Sequence, residues 1–96
     1  MKYLVISCIN RCIEIEAVCN SFAGAYEVMK MHFLEYHKNW CGYTNDELEE
    51  LRHEIESDTE VWMEKYGFNM CSNDSAYAWS NVDEDWDYDI KIFQIE

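Results

Sequence analysis

The segment KYLVISCINRCIEIEAVC, residues 2–19, decides the fold class. Residues 2–9 are rich in strand-forming side chains, and residues 12–19 alternate with the period of two that is typical of a half-buried strand. Only Asn10 and Arg11 separate the two runs, and Asn tolerates the left-handed backbone of a two-residue hairpin turn. The segment therefore predicts an antiparallel β-hairpin.

The alternation in the second strand also predicts which side chains share a face. Glu14 and Glu16 lie together with Cys12 and Val18, so we expect this to be the solvated face. The half-buried face would then carry the remaining side chains, Ile13, Ile15, Ala17 and Cys19.

Two helices are predicted after the hairpin. Ser21 is a suitable N-cap for a helix over residues 22–40, in which large apolar side chains recur every three or four residues: Phe22, Tyr26, Met29, Phe33, Tyr36 and Trp40. We expect this stripe to pack on the sheet. The apolar side chains away from the stripe, Val28, Met31 and Leu34, indicate a helix that is covered on two sides or leaves a patch for a partner.

The second helix begins at a capping box formed by Thr44 and Glu47. Its apolar face, Leu48, Leu51, Ile55 and Trp62, predicts a helix to about residue 57, with an extension to residue 66 as the alternative. Glu47, Glu50 and Glu54 form one row of acids on its surface.

The remaining residues complete an α+β domain. Residues 68–72 and 88–95 are predicted strands, and residues 73–81 are predicted to be a loop or a short helical turn. The order ββααββ predicts an antiparallel sheet of about four strands, with both helices packed on one face. Residues 1–96 are expected to form a single domain.

The net charge of the chain lies entirely in its second half. Residues 1–43 carry four acids and four bases, whereas residues 44–96 carry sixteen acids and three bases, so the second part alone gives the net charge of −13. The aromatic content of 16% argues against a disordered acidic chain. An excess of this size is typical of a surface that meets a basic partner, such as a groove that holds nucleic acid.

The densest acidic feature is DEDWDYD, residues 83–89, which holds five acids and two aromatic residues. In an extended strand Asp85, Asp87 and Asp89 would share one face at a spacing of about 7 Å, which resembles a row of phosphates. The alternative is an acidic turn that guards an edge strand against aggregation. A calcium-binding loop is not indicated, because the central glycine and the glutamate at the twelfth position are missing.

Other kinds of site have weaker support. The five cysteines have no CxxC spacing and are expected to be buried thiols in a reducing compartment, without a metal or other cofactor. No catalytic signature is present, so an enzyme is not expected. Direct nucleic-acid binding is disfavoured because the aromatic-rich half has few bases, and membrane binding is disfavoured because the chain lacks a long apolar run.

The chain resembles the small acidic inhibitor proteins of bacteriophages and mobile elements, among them anti-CRISPR proteins and DNA-mimicking anti-restriction proteins. The resemblance is one of type, carried by the short α+β chain, the acidic helix DELEEL at residues 46–51 and the acidic run at residues 83–89. It implies inhibition of a basic nucleic-acid-binding protein, such as a Cas nuclease, in the cytoplasm of a bacterial host cell.

The candidate partner-binding residues are the acids of the second helix and of the C-terminal run, together with two aromatic anchors: Glu47, Glu50, Glu54, Trp79, Asp83, Glu84, Asp85, Trp86, Asp87 and Asp89. The alternative function is a non-enzymatic interaction module, with a homodimer as one form, that uses surplus apolar surface on the first helix. In that case the acids only keep the protein soluble.

Overall fold

The computed structural model describes residues 1–57, 60–72 and 74–95. Two helices and six strands follow one another in the order β1 Lys2–Ile9, β2 Cys12–Cys19, α1 Phe22–Asn39, α2 Asn45–Ser57, β3 Glu60–Trp62, β4 Tyr66–Ser72, β5 Ser75–Ser80 and β6 Tyr88–Ile95. The predicted α+β class is confirmed, as are both helices, the first hairpin and the last strand.

The strands form one sheet in the order β2-β1-β6-β5-β4-β3, and every neighbouring pair is antiparallel. The sheet therefore has six strands rather than the predicted four. One missed strand is β3, where Trp62 continues the helical spacing of Ile55 and suggested a longer helix. That extension is wrong for residues 60–62, and residues 58 and 59 lie outside the described residues.

The other missed strand is β5, which replaces the predicted loop over residues 73–81. Its inward side chains are small, Ala76, Ala78 and Ser80, whereas its large aromatic side chains point away from the helices. In a usual half-buried strand the large apolar side chains face the core. Because β5 has the opposite arrangement, its sequence pattern does not indicate a strand. Asn73, at the start of the predicted loop, lies outside the described residues.

The turn between β1 and β2 consists of Asn10 and Arg11, whose φ angles are 48° and 71°. Both residues therefore adopt the left-handed backbone that a tight two-residue hairpin requires, as predicted. The amide of Asn10 also donates a hydrogen bond to the Asp87 carbonyl at 2.9 Å. The turn is thereby attached to the segment that precedes β6.

A bulge in β2 overturns the predicted faces of that strand. Val5 pairs with Ala17 while the next residue, Ile6, pairs with Ile15, so that Glu16 is the extra residue. One extra residue inverts the side-chain alternation. The side chains of β2 that face the helices are therefore even-numbered before the bulge and odd-numbered after it. Ile15 and its neighbour Ile13 are consequently 64% and 72% exposed, although the sequence placed them on the buried face.

The core lies between the sheet and the helices. Sheet register places Val61, Phe68, Ala78 and Ile90 side by side in one row, and all four are buried. The buried residues of α1 and α2 belong to the same core cluster, so both helices cover one face of the sheet: Ala25, Met29, Phe33, Tyr36, Leu51 and Ile55. We call the opposite face of the sheet the open face.

All five cysteines are free thiols, and none is fully buried. Cys12 and Cys71 are exposed, and the other three are partly buried. The prediction of buried thiols is therefore wrong for Cys12 and Cys71, whereas Cys19 and Cys41 are partly buried against the core. The core is filled instead by aromatic, branched and small side chains.

Candidate functional site

The N-terminus of α2 is held by the predicted capping box. The Thr44 amide donates to Glu47 Oε1 at 3.0 Å, and the Glu47 amide donates to Thr44 Oγ1 at 3.2 Å. This reciprocal pair satisfies two amides that the helix leaves without intrahelical partners. Glu47 thus has a structural role in addition to its place in the acidic row.

Glu54, at the other end of that row, accepts a hydrogen bond from the Tyr66 hydroxyl. Burial raises the pKa of Tyr66 above its usual range, and the carboxylate of Glu54 raises it further. Tyr66 is therefore a neutral donor that attaches the C-terminal part of α2 to the start of β4. Glu50, between Glu47 and Glu54 in the row, is exposed.

Residues 81–87 connect β5 to β6, and we call residues 82–87 the acidic loop. The Trp86 amide donates to the Asp83 carbonyl at 3.1 Å, and the Asp85 amide donates to Asp83 Oδ1 at 3.1 Å. Because the loop turns here and β6 begins only at Tyr88, the predicted extended row of Asp85, Asp87 and Asp89 is wrong. The acids instead surround a turn that the Asp83 side chain stabilises.

Aromatic contacts attach the acidic loop to the C-terminal end of α1. The Tyr36 hydroxyl donates to the Trp86 carbonyl at 2.9 Å. The rings of Trp40 and Trp86 meet edge to face, with centroids 5.4 Å apart. These contacts, with the bond from the Asn10 amide to the Asp87 carbonyl, attach the loop to α1 and to the turn between β1 and β2.

Two consecutive residues, Lys65 and Tyr66, each contact one of the two acidic groups. Lys65 Nζ lies 3.0 Å from Glu84 Oε1, and Tyr66 bonds Glu54. The Lys65 carbonyl also accepts from the amide of Asn81, just before the loop, at 2.9 Å. We call the combined set the acidic surface: Glu47, Glu50, Glu54, Asp83, Glu84, Asp85 and Asp87.

The acidic surface carries little compensating charge. Within the described ranges, Lys65 is the only base in an ion pair with one of its carboxylates. The pair lowers the pKa of Glu84 and raises that of Lys65, first through their hydrogen bond and then through charge attraction. Both side chains are substantially exposed, so water and salt screen the pair.

Two predicted residues, Trp79 and Asp89, do not join the acidic surface. They pair across β5 and β6 with their side chains on the open face. The Trp79 ring covers Gly67 so closely that a Cβ on this glycine would overlap it. Asp89 Oδ1 accepts from the Tyr77 hydroxyl at 2.6 Å, and burial together with this bond raises the pKa of Tyr77 to about 12.

Sequence reasoning missed several residues that shape the acidic surface: Tyr36, Trp40, Lys65 and Tyr66. Tyr36 and Trp40 were assigned to the core stripe of α1, yet Trp40 is 46% exposed beside Trp86. Trp40 is the last residue of the apolar stripe and follows the last residue of α1. This position at the helix end could have indicated that its side chain is partly exposed. Lys65 and Tyr66 gave no comparable signal, because their contacts depend on the packing of distant segments.

Two other side-chain groups lie outside the acidic surface. Ser7 Oγ donates to Glu16 Oε1 at 2.8 Å, and Glu16 Oε2 lies 3.3 Å from His32 Nδ1. The carboxylate lies between the hydroxyl and the imidazole, so Ser7 is not hydrogen-bonded to His32 as the serine of a Ser–His catalytic pair would be. A groove of about 430 Å³ between α1 and α2 is lined by Lys30, Arg52 and several acids, so its charges are mixed.

Comparisons with known protein families, with curated proteins and with solved structures found no match. The described residues contain no group of three or more His, Cys, Asp or Glu side chains arranged to hold a metal ion. Neither of the described helices is long and apolar enough to cross a membrane.

Proposed function

We propose that this chain is an acidic inhibitor protein that binds the basic nucleic-acid-binding groove of a host nuclease, as anti-CRISPR proteins of the mimic type do. The observation that supports this function is the junction at Lys65 and Tyr66, which joins the α2 row to the acidic loop. Among the described residues, the seven carboxylates of the acidic surface have one base in an ion pair, Lys65. The proposed place of action is the cytoplasm of a bacterial host.

The charge of the acidic surface would favour a groove rich in Arg and Lys. Such a groove binds phosphates by releasing their counterions, and fixed carboxylates can occupy the same cationic side chains. Long-range attraction would also steer the two proteins together and raise the association rate at low salt. Inhibition would follow because nucleic acid and this protein compete for the same groove.

The contacts that attach the acidic loop to the rest of the fold add to this argument. A loop already held by Asp83, Tyr36 and the Asn10 amide loses less conformational entropy on binding than a free acidic segment. Trp40 and Trp86 lie beside it, 46% and 38% exposed. Such half-exposed aromatic rings at the rim of a charged surface are suited to anchor a protein partner.

The test uses pull-down from bacterial lysate at about 0.05 M and about 0.5 M NaCl, a range over which charge-driven contacts weaken strongly. The bait variant Glu50→Lys/Asp85→Lys reverses two exposed acids of the acidic surface. Its control, Glu27→Lys/Glu35→Lys, makes the same change in net charge on α1. We expect a nuclease or other nucleic-acid-binding protein to be retained at low salt, displaced by duplex DNA or guide RNA, and lost with the first variant only.

Two results would contradict the proposal. One is a lysate from which no nucleic-acid-binding protein is retained in a salt-sensitive manner. The other is an equal loss of the retained protein with both double variants, because net charge rather than the acidic surface would then decide binding.

A further inference from the structure

The open face of the sheet carries an exposed apolar patch that the proposed function does not use. We define the apolar patch by six side chains on three neighbouring strands: Leu4, Ile6, Ile13, Ile15, Val18 and Phe93. Ile13, Ile15 and Val18 are 72%, 64% and 58% exposed, and Phe93 is 44% exposed. Soluble monomers rarely leave a continuous apolar surface of this kind open to water.

Sheet register makes the apolar patch continuous. Ile6 pairs with Ile15, while Leu4 pairs with Val18 on one side and with Phe93 on the other. Directly opposite side chains in an antiparallel pair lie about 5 Å apart, so Val18, Leu4 and Phe93 form one row across β2, β1 and β6, beside the pair of Ile15 and Ile6. The bulge at Glu16 produces this arrangement, because it turns Ile13 and Ile15 onto the same face as Val18.

The size of the open face suits a stable protein–protein contact. At about 3.3 Å per residue and about 4.8 Å between strands, the six strands have a flat footprint of about 600 Å². Two such faces would together bury about 1,200 Å², which is the lower end of the range for specific, stable interfaces.

The charge of the open face favours a second copy of this chain over a basic partner. Among the described residues, its charged side chains are two bases and two acids, Lys2, Lys91, Glu60 and Asp89. The face is therefore neutral, whereas the whole chain carries −13. A basic protein would gain no attraction here, but a second copy can pair bases with acids and keep its acidic surface away from the contact.

We propose that the open face is a self-association surface on which the open face of a second copy packs. The two sheets would lie about 10 Å apart, with the apolar patches interdigitating and the helices on the outside. Both copies use the same patch in a two-fold contact of this kind, so the assembly ends at a dimer and does not extend into a filament. This inference does not depend on the proposed inhibition of a nuclease.

Salt separates the two proposals. Two chains of charge −13 repel each other, so screening should strengthen a dimer that is held by apolar contact. Binding of the acidic surface to a basic groove should instead weaken with salt. Each proposal can therefore fail while the other stands.

The test is sedimentation equilibrium of the purified chain at about 0.05 M and about 0.5 M NaCl, where screening differs strongly. We expect a dimer whose dissociation constant decreases with salt. Ile15→Asp should raise that constant at least about 10-fold, since a buried charge opposes the contact. Met31→Asp is the matched control, because Met31 is 49% exposed on α1 and lies outside the apolar patch.

A second variant, Phe93→Asp on β6, keeps the test valid if Ile15→Asp does not fold, and circular dichroism verifies the fold of each variant. Three results would overturn the inference. They are a wild-type monomer at about 100 µM in both salts, equal weakening by Ile15→Asp and Met31→Asp, and a monomer whose open face binds a different protein. A concentration of about 100 µM would populate even a weak specific dimer.

Discussion

His37 lies in the core with no exposed surface, and both of its ring nitrogens are hydrogen-bonded. Nδ1 is 2.8 Å from the Phe33 carbonyl, which can only accept, so Nδ1 carries the proton. Nε2 therefore accepts from Ser80 Oγ at 2.9 Å, and Ser80 Oγ accepts from the Val82 amide at 3.4 Å. A neutral core histidine thus holds the first residue of the acidic loop.

Acid should weaken the fold through His37. Burial lowers the pKa of its imidazole below the unfolded value of about 6.5. The unfolded state therefore binds the proton more readily, and the stability that neutral His37 confers is full above about pH 6.5 and lost progressively below it. We expect the free energy of unfolding of the wild type to decrease more between pH 7.5 and 5.5 than that of His37→Gln.

The measurement is urea unfolding followed by tryptophan fluorescence, and an NMR titration of the His37 ring gives an independent value for its pKa. His53→Gln is the control, because His53 is exposed on α2. Parallel pH profiles for wild type and His37→Gln would contradict this account.

At the scale of elements, α2 depends on its capping box because most of its surface is charged and only Leu51 and Ile55 are buried. Thr44→Ala removes the acceptor at 3.2 Å from the Glu47 amide. We expect a loss of about 1 kcal/mol in the free energy of unfolding, measured with urea. Thr44→Ser keeps the hydroxyl and should retain most of that stability, so an equal loss in both variants would exclude the cap as the cause.

Elements with a strong local signal could be predicted from the sequence. The hairpin, α1, the start of α2 and β6 have clear periodicity, a turn or a cap within a few residues. β3 and β5 could not, because β3 has three residues and β5 directs its aromatic side chains outward. β3 and β5 are strands because they form hydrogen bonds with β4 and β6. The order of apolar and polar residues within β3 and β5 does not indicate these partners.

At the scale of the whole molecule, the charge is unevenly distributed over the fold. The open face is neutral among the described residues, while the acidic surface has seven carboxylates and one paired base. Mutual repulsion of these acids opposes the compact state. The fold tolerates it because the core between the sheet and α1 is densely aromatic, with Phe33 in contact with Phe68, Tyr66 and Tyr88.

Salt should therefore stabilise the monomer. Raising NaCl from about 0.01 to about 0.15 M shortens the Debye length from about 30 to about 8 Å. We expect the midpoint of thermal unfolding to rise by about 5 °C, which corresponds to about 1 kcal/mol for a domain of this size. Calorimetry of Ile15→Asp separates this effect from self-association.

The control for this effect of salt is Ile15→Asp/Glu50→Gln/Asp85→Asn, in which two acids of the acidic surface are neutral. It should show a smaller rise than Ile15→Asp alone. A midpoint that is independent of salt in both variants would mean that repulsion within the acidic surface does not limit stability.

The sequence by itself determined the α+β class, the first hairpin, the cap of α2 and the concentration of acids in the second half, because each depends on composition or on residues close in the chain. Only the tertiary structure decided that Ile13 and Ile15 are exposed and that Glu54 and Glu84 are joined through Tyr66 and Lys65. The physical reason is that strand register, one bulge and long-range packing set these positions, and a one-residue shift inverts every side chain beyond it.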